Sequence, residues 1–481
     1  MPTKAAQAKP RDLTIRVYNA GFGDCMLLKF GYAGFERRVL IDFGTSAAPL
    51  KPVKNFMKEI AADIREQCRE ADGSSKLHAI VATHRHLDHI SGFSTEAETG
   101  EVIAGLAPDV VVQPWTEDPD APVDATQATV ESYTAGKPDP ATRKLHFRAA
   151  LDHMHTFAES VALEAAANRL DIGRDTRAHL AFLGEQNLKN TSAVKNLMDM
   201  GRKARATYVH CGSASGLEDV LPGVTVNVLG PPTLEQCDEI RKESAKNPDE
   251  FWFHAFWGAQ AVAGAGASGD RALFPGAPSY SADDIPPNLR WFVARAKQVR
   301  ADQLLQIVRE LDAAMNNTSV ILLLQAGPLN LLFPGDAQWE NWSYALANEG
   351  YRKLLAGVDV YKVGHHGSTN ATPRSLWELF EKRRSRGGEK GVLTSLLSTR
   401  PGKHGSTKSS TEVPRRTLLA ELETESELYD TETLTSTELY HEIRFDLSKG
   451  EKHAGAKDEP AARSGVARKK RAKRAVAGAG G

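Results

Sequence analysis

Residues 81–92 read Val-Ala-Thr-His-Arg-His-Leu-Asp-His-Ile-Ser-Gly, and this stretch restricts the fold more than any other. His84, His86, Asp88 and His89 crowd into six residues, directly after the apolar run His78–Ala82, which reads as a buried strand. Imidazole nitrogen and carboxylate oxygen together suit zinc, manganese or iron, and grouping them beside apolar chain is costly unless something neutralises them. Alternate residues of an extended segment face the same way, so His84 and His86 can meet one cation. Asp88 and His89 fall where the chain turns into a helix and can reach a second position close by.

The rest of the chain alternates strands with helices. Leu13–Tyr18 and Cys25–Phe30 read as strands, with the glycines of Asn19–Asp24 marking a hairpin turn. Arg37–Phe43 is a third strand that ends on Asp42. An unpaired buried carboxylate costs several kcal/mol, so Asp42 either bonds the turn or stands behind the ligands of a cation site. Helical spacing covers Pro52–Glu70, a short β-branched run follows at Val110–Val112, and Val224–Leu229 returns to strand pattern. Thr233 is the expected N-cap of a helix running to Ala245, and Leu289–Met315 is again helical.

A second set of strands follows. Ser319–Gln325 and Asn330–Phe333 form a hairpin that ends at Asp336, and Val358–Val363 ends at Gly364-His365-His366-Gly367-Ser368. Helices are expected at Trp339–Glu349, Pro373–Glu381 and Pro414–Leu422, with strands at Val392–Ser398 and Tyr440–Leu447. Asp336 and His365-His366 thus share with the histidine cluster a position at the C-terminal end of an apolar strand, where open α/β sheets place their sites.

Residues 1–12 read as a flexible N-terminus, 13–447 as the folded body, and 448–481 as a disordered basic tail. Within the body, about 139–205 reads as a helical insertion rich in Ala, Leu, Arg and Glu, and about 247–287 as an irregular loop or lid. The tail run Arg468–Arg474 is either a solubilising end or a salt-sensitive clamp on phosphodiester backbone. A net charge of −1 carries no global message about nucleic acid or membrane. Cys25, Cys68, Cys211 and Cys237 form no CxxC pair, which argues for a reducing compartment and against a cysteine-rich zinc site. No segment is long and apolar enough for a membrane helix, so a cytoplasmic protein with no membrane partner is expected.

Taken together, Val17–Asp24, Val39–Gly44, Thr83–Gly92, Asn316–Val320, Leu332–Asp336 and Tyr361–Ser368 resemble the metallo-β-lactamase-fold hydrolases. The resemblance covers most of 13–447 and looks closest to the HHGS branch, which includes the soluble domain of competence-type DNA uptake proteins. It implies an α/β (α+β) fold, the αββα sandwich of two mixed sheets between outer helices. It also implies two divalent metal ions, Zn²⁺ or Mn²⁺, with the first on His84 and His86, the second on Asp88 and His89, and Asp336 bridging. One of His365 and His366 would complete the second site. The expectation is His366 as ligand, with His365 left to touch substrate or leaving group. Many family members carry a further histidine after a middle strand; here the equivalent Leu229–Thr233 has none. His210 and His254 lie nearby in sequence without the expected context, so the first metal is expected to be held by fewer ligands, or the site to be mononuclear.

The implied reaction is hydrolysis by a metal-activated water, with Asp88 orienting the nucleophile and His365 or Lys403 stabilising developing charge. Ser368, Lys403 and His404 are candidate substrate contacts, the last two in a basic, hydroxyl-rich loop. A phosphodiester, as in DNA or RNA, is the expected substrate. The alternatives are a lactone, lactam or thioester hydrolase, and a non-catalytic binding or scaffold protein of the same fold. His78, His146, His153, His155 and His179 read as surface or packing residues.

Overall fold

In the computed structural model the described residues are 8–120, 190–237, 312–387, 392–403 and 412–448, with the backbone of 451–452. The segments expected as an irregular loop (247–287) and as most of the helical insertion (139–189) lie outside them. So do His146, His153, His155, His179, His254, His404 and the basic run 468–474.

The described residues build two mixed sheets packed face to face. The first contains β1 (Asp12–Tyr18), β2 (Cys25–Gly31), β3 (Glu36–Phe43), β4 (Ala79–Val81), β5 (Val110–Pro114) and β6 (Ala206–Val209). The second contains β7 (Val224–Gly230), β8 (Ile321–Ala326), β9 (Leu329–Phe333), β10 (Val360–Lys362), β11 (Thr394–Leu397) and β12 (Glu427–Asp430). The chain then returns to the first sheet as β13 (Tyr440–Asp446) and β14 (Glu451–Lys452), giving orders β14-β13-β1-β2-β3-β4-β5-β6 and β12-β11-β10-β9-β8-β7.

Each sheet begins antiparallel and becomes parallel. β1, β2 and β3 form a meander, after which β3, β4, β5 and β6 run parallel. β7, β8 and β9 are antiparallel, and β9 to β12 run parallel. Parallel neighbours need crossovers, and helices on the outer faces supply them. Helix Phe56–Gln67 precedes β4, helix Arg416–Glu425 precedes β12, and helices Trp339–Ala347 and Glu349–Ala356 precede β10. The C-terminal ends of β3, β4, β9, β10 and β11 consequently open onto one rim.

Strand alternation fixes which side chains fill the space between the sheets. Leu13, Ile15 and Val17 of β1 meet Leu322 and Leu324 of β8, Leu331 and Phe333 of β9, and Ile443 of β13 in one buried cluster. The outer face of the first sheet (Leu27, Leu40, Ile80) packs on Ile60 and Ile64 of helix Phe56–Gln67 and on Leu197 and Met200 of helix Thr191–Lys203. That last helix is the C-terminal end of the expected insertion, and it packs as part of the core layers. A third cluster joins Leu323 and Leu332 to Trp342, Leu355 and Leu422 on the opposite face. Four layers result, the α/β sandwich expected from the sequence.

Two differences have local causes. The helix expected over Trp339–Glu349 breaks at Asn348, whose Oδ1 accepts from the amides of Gly350 (2.8 Å) and Tyr351 (3.2 Å) and starts a second helix. Helix Phe56–Gln67 starts only after Asn55, which takes a left-handed φ of 55°. At Thr233 the described residues form a turn in which Gln236 N–H donates to the Thr233 hydroxyl (3.2 Å) and the Thr233 N–H donates to Gln236 Oε1 (2.9 Å); the rest of the helix expected to Ala245 lies outside the described residues. No helix among the described residues is long and apolar enough to cross a membrane.

Candidate metal centre

β4 carries the chain into the rim, where Thr83 pins the histidine loop to β3. Its N–H and hydroxyl each donate to Asp42, at 2.8 Å to Oδ1 and 2.8 Å to Oδ2. Asp42 itself sits at φ 55°, so the strand end is turned to aim the carboxylate at the loop. The same Asp42 Oδ2 lies 2.8 Å from His89 Nδ1. Of the two readings of Asp42, the geometry shows its bonds to the loop at Thr83 and adds a contact with His89.

His86 then begins the short helix Leu87–Ile90, which carries Asp88 and His89. That helix lies flat on the end of β3 because Gly44 has no side chain; a Cβ there would sit 2.5 Å from backbone atoms of Asp88 and His89. His84 Nε2 and His86 Nδ1 converge to 2.9 Å. The far nitrogen of His86, Nε2, faces Asp312 Oδ1 at 3.8 Å.

The second sheet contributes from the opposite side. Asp336 follows β9; its N–H donates to Ser319 Oγ (3.2 Å) and its Oδ1 accepts from the His365 N–H (2.9 Å). Asp336 Oδ2 is then left 3.1 Å from His89 Nε2. His366, at φ 50°, donates from Nδ1 to the Ser398 carbonyl (2.9 Å), which leaves Nε2 2.9 Å from Asp88 Oδ2. The Phe22 ring packs against His366 at a tilt of 42°, with centroids 4.1 Å apart.

Asp88, His89, Asp336 and His366, distant in sequence, therefore each place one ligand atom within 4.8 Å of the others, and all four are buried. Asp88 Oδ1, His89 Nε2 and Asp336 Oδ2 are buried atoms with no hydrogen-bond partner. Convergent, buried oxygen and nitrogen donors of this kind could hold a divalent cation. The other ring nitrogens of His89 and His366 are held by a carboxylate and a carbonyl, the arrangement that fixes the tautomer of a ligating histidine. Asp24, Asp42 and His89 form an adjoining buried group.

The electrostatics of this centre is dominated by carboxylate. Asp24, Asp42, Asp88 and Asp336 are buried, and Lys362 at the end of β10, 2.7 Å from Asp24 Oδ2, is the buried ammonium that faces them. Burial opposes charge on His89, but Asp336 and Asp42 outweigh it and lift its pKa well above the usual imidazole range. Against the same burial, its contact with Asp88 raises His366. Burial and the neighbouring His89 and His86 push His84 well down, so its ring stays neutral with a lone pair available. Burial alone would raise Asp336, yet His89 and His365 hold it well below the carboxylate range.

The remaining expected residues divide. His365 is half-buried beside the cluster, with Nδ1 buried and unpartnered. Ser368 closes the turn after His366, its N–H donating to the His365 carbonyl (2.9 Å). Lys403 lies at the end of the described segment after β11. His210 does not join the centre: its Nδ1 sits 3.0 Å from the Cys211 carbonyl. Among the described residues, no His, Cys, Asp or Glu joins His84 and His86 in a group of three. Near Pro232, where the family pattern has its middle histidine, Trp115 Nε1 donates to the Pro232 carbonyl (3.2 Å). Asp24 and Lys362 were not singled out from sequence; the signals were an acid closing a glycine turn and a lysine inside an apolar strand.

Residues 18–166 match the family model described as Metallo-beta-lactamase superfamily. The matched stretch contains β2 to β5 and the loop from His84 to His89; Asp336 and His366 lie beyond it and are brought to the centre by the second sheet. No curated protein matches the chain.

Proposed function

We propose that this chain is a metal-dependent hydrolase, acting on phosphodiesters as a nuclease or phosphodiesterase. The observation that carries the hydrolase reading is the convergence of Asp88, His89, Asp336 and His366, with Asp88 Oδ1 buried and unpartnered and His89 Nε2 and Asp336 Oδ2 turned toward each other. His84 Nε2 and His86 Nδ1, 2.9 Å apart and outside that group of four, are further nitrogen donors beside it, which supports a second cation. His84 and His86 are the residues that would hold the other cation. When bound, such cations supply Lewis acidity and bring the pKa of a water from near 16 to about 7.

The chain's own residues then have distinct tasks. Asp88 has one carboxylate oxygen against His366 and the other unpartnered, so it can hold and orient a water proton at Oδ1. His365, half-buried beside the cluster, is the residue that would share a proton with a leaving oxygen. Asp42 keeps the His89 ring in one tautomer and orientation. The phosphodiester preference rests on the Gly364–Ser368 motif and on the basic run 468–474.

Elemental analysis of the purified chain, followed by assay of bis-p-nitrophenyl phosphate and single-stranded DNA with Mn²⁺ or Zn²⁺, tests this reading. Metal content with turnover of both is the expected result. No metal and no turnover would sink the enzyme reading; ester or lactam turnover without phosphodiester cleavage would sink the nuclease reading.

A further inference from the structure

Beside the His366 wall of the centre lies a pocket of about 120 Å³, between the β1–β2 turn, residues 49–51, the segment after β11 and the chain around Leu434. Its polar lining is Asn19, Lys51, Thr399, Arg400 and Glu432. Thr399 is 2% exposed and its hydroxyl has no hydrogen-bond partner; the Arg400 Nε is likewise buried and unpartnered. Leaving a buried donor unsatisfied costs roughly 1–3 kcal/mol, so the Thr399–Arg400 segment in the cavity wall carries two groups that a nearby acceptor would relieve. Lys51 and Arg400 against the Glu432 carboxylate leave one positive charge, which matches the single negative charge of a phosphodiester. Leu50, 57% exposed, and Leu434 add an apolar wall on which a sugar or base can rest.

The pocket is tied to the centre on two sides. Ser398, whose carbonyl holds His366 Nδ1, immediately precedes Thr399 and Arg400. Asn19 opens the turn that carries Phe22 onto the His366 ring. We infer that this pocket binds a phosphodiester group of the substrate strand other than the one being cut, with Arg400 and Lys51 as its charge partners and Thr399 and Asn19 as hydrogen-bond donors. The inference rests on the phosphodiester reading and narrows it to a substrate longer than a single phosphodiester. Free phosphate shares the charge chemistry; the apolar wall favours the strand.

The test is calorimetric titration of the full-length chain with a cleavage-resistant phosphorothioate tetrathymidylate and, separately, with inorganic phosphate. Loss of one charge-assisted hydrogen bond predicts roughly tenfold weaker tetranucleotide binding in both Arg400→Gln and Lys51→Gln. Arg400→Lys should recover much of it, and the salt dependence should flatten by about 0.7 per contact removed. Lys51 is exposed, so its variant reads the pocket even if Arg400→Gln fails to fold. Tetranucleotide affinity unchanged in Lys51→Gln and in folded Arg400 variants, or a change confined to inorganic phosphate, overturns the inference. Because binding is read without turnover, affinity lost in a chain that cleaves no phosphodiester retains the subsite and sinks the nuclease reading. Cleavage with affinity unaltered does the reverse.

Discussion

Asp24 and Lys362 meet at 2.7 Å, both fully buried, across the gap between the two sheets. Asp24 also takes the backbone of the histidine loop in hand: its N–H donates to the Asp88 carbonyl (2.9 Å), and its carbonyl accepts from Gly44 (3.0 Å). Lys362 stands at the end of the strand that leads to His365 and His366 and donates as well to the Val363 carbonyl (2.9 Å). The pair therefore ties the loop bearing Asp88 and His89 to the strand bearing His366. Removing one partner leaves a buried charge alone, so Lys362→Met should cost about 3–5 kcal/mol in chemical denaturation, and adding Asp24→Asn should restore part of that. Equal stability of Lys362→Met and the parent would contradict the role.

Asp42 holds His89 through the ring nitrogen opposite the cluster. Asp42→Asn keeps the shape but removes the charge that fixes the tautomer. Metal affinity, measured by competition with a chromophoric chelator, should fall 10- to 100-fold. Unchanged affinity would show that Asp42 serves only the turn.

A third expectation concerns stability and pH away from the centre. Burial raises the Asp430 carboxyl to about 6, against the partial compensation of its bond from the Glu432 N–H (2.9 Å). A carboxyl with a raised folded-state pKa binds its proton more tightly in the native chain, so stability falls as pH rises from about 4 to about 6. Asn can accept the same N–H without the charge. Asp430→Asn should be more stable than the parent by about 1–3 kcal/mol at pH 7.5, with the gain vanishing near pH 4. Thermal unfolding at the two pH values checks this; a gain independent of pH would refute it.

The chemistry-bearing ends of the strands were legible because each follows a long apolar run: Ile80 and Val81 before His84, Leu331 to Phe333 before Asp336, Val360 to Val363 before His366. β6 and β12 were not. Each lies at the edge of its sheet with mostly half-buried residues, so neither shows the apolar pattern that reveals an inner strand. Asp24 and Lys362 escaped for another reason. A lone acid after glycine and a lone lysine in a strand each read as exposed, and only the stacking of the two sheets makes them partners. Of the two histidines weighed for the position near Pro232, His210 is tied to the Cys211 carbonyl and does not join Asp88, His89, Asp336 and His366, and His254 lies outside the described residues.

The most direct test is the metal content of the full-length chain, measured by elemental analysis after equilibration with Zn²⁺ or Mn²⁺ and removal of excess ion. About two divalent ions per chain are predicted for the parent. His366→Ala and Asp336→Asn should each bind less, with hydrolytic turnover lost in parallel. A parent chain that retains no divalent metal, or variants that retain as much as the parent, would contradict the assignment of this centre.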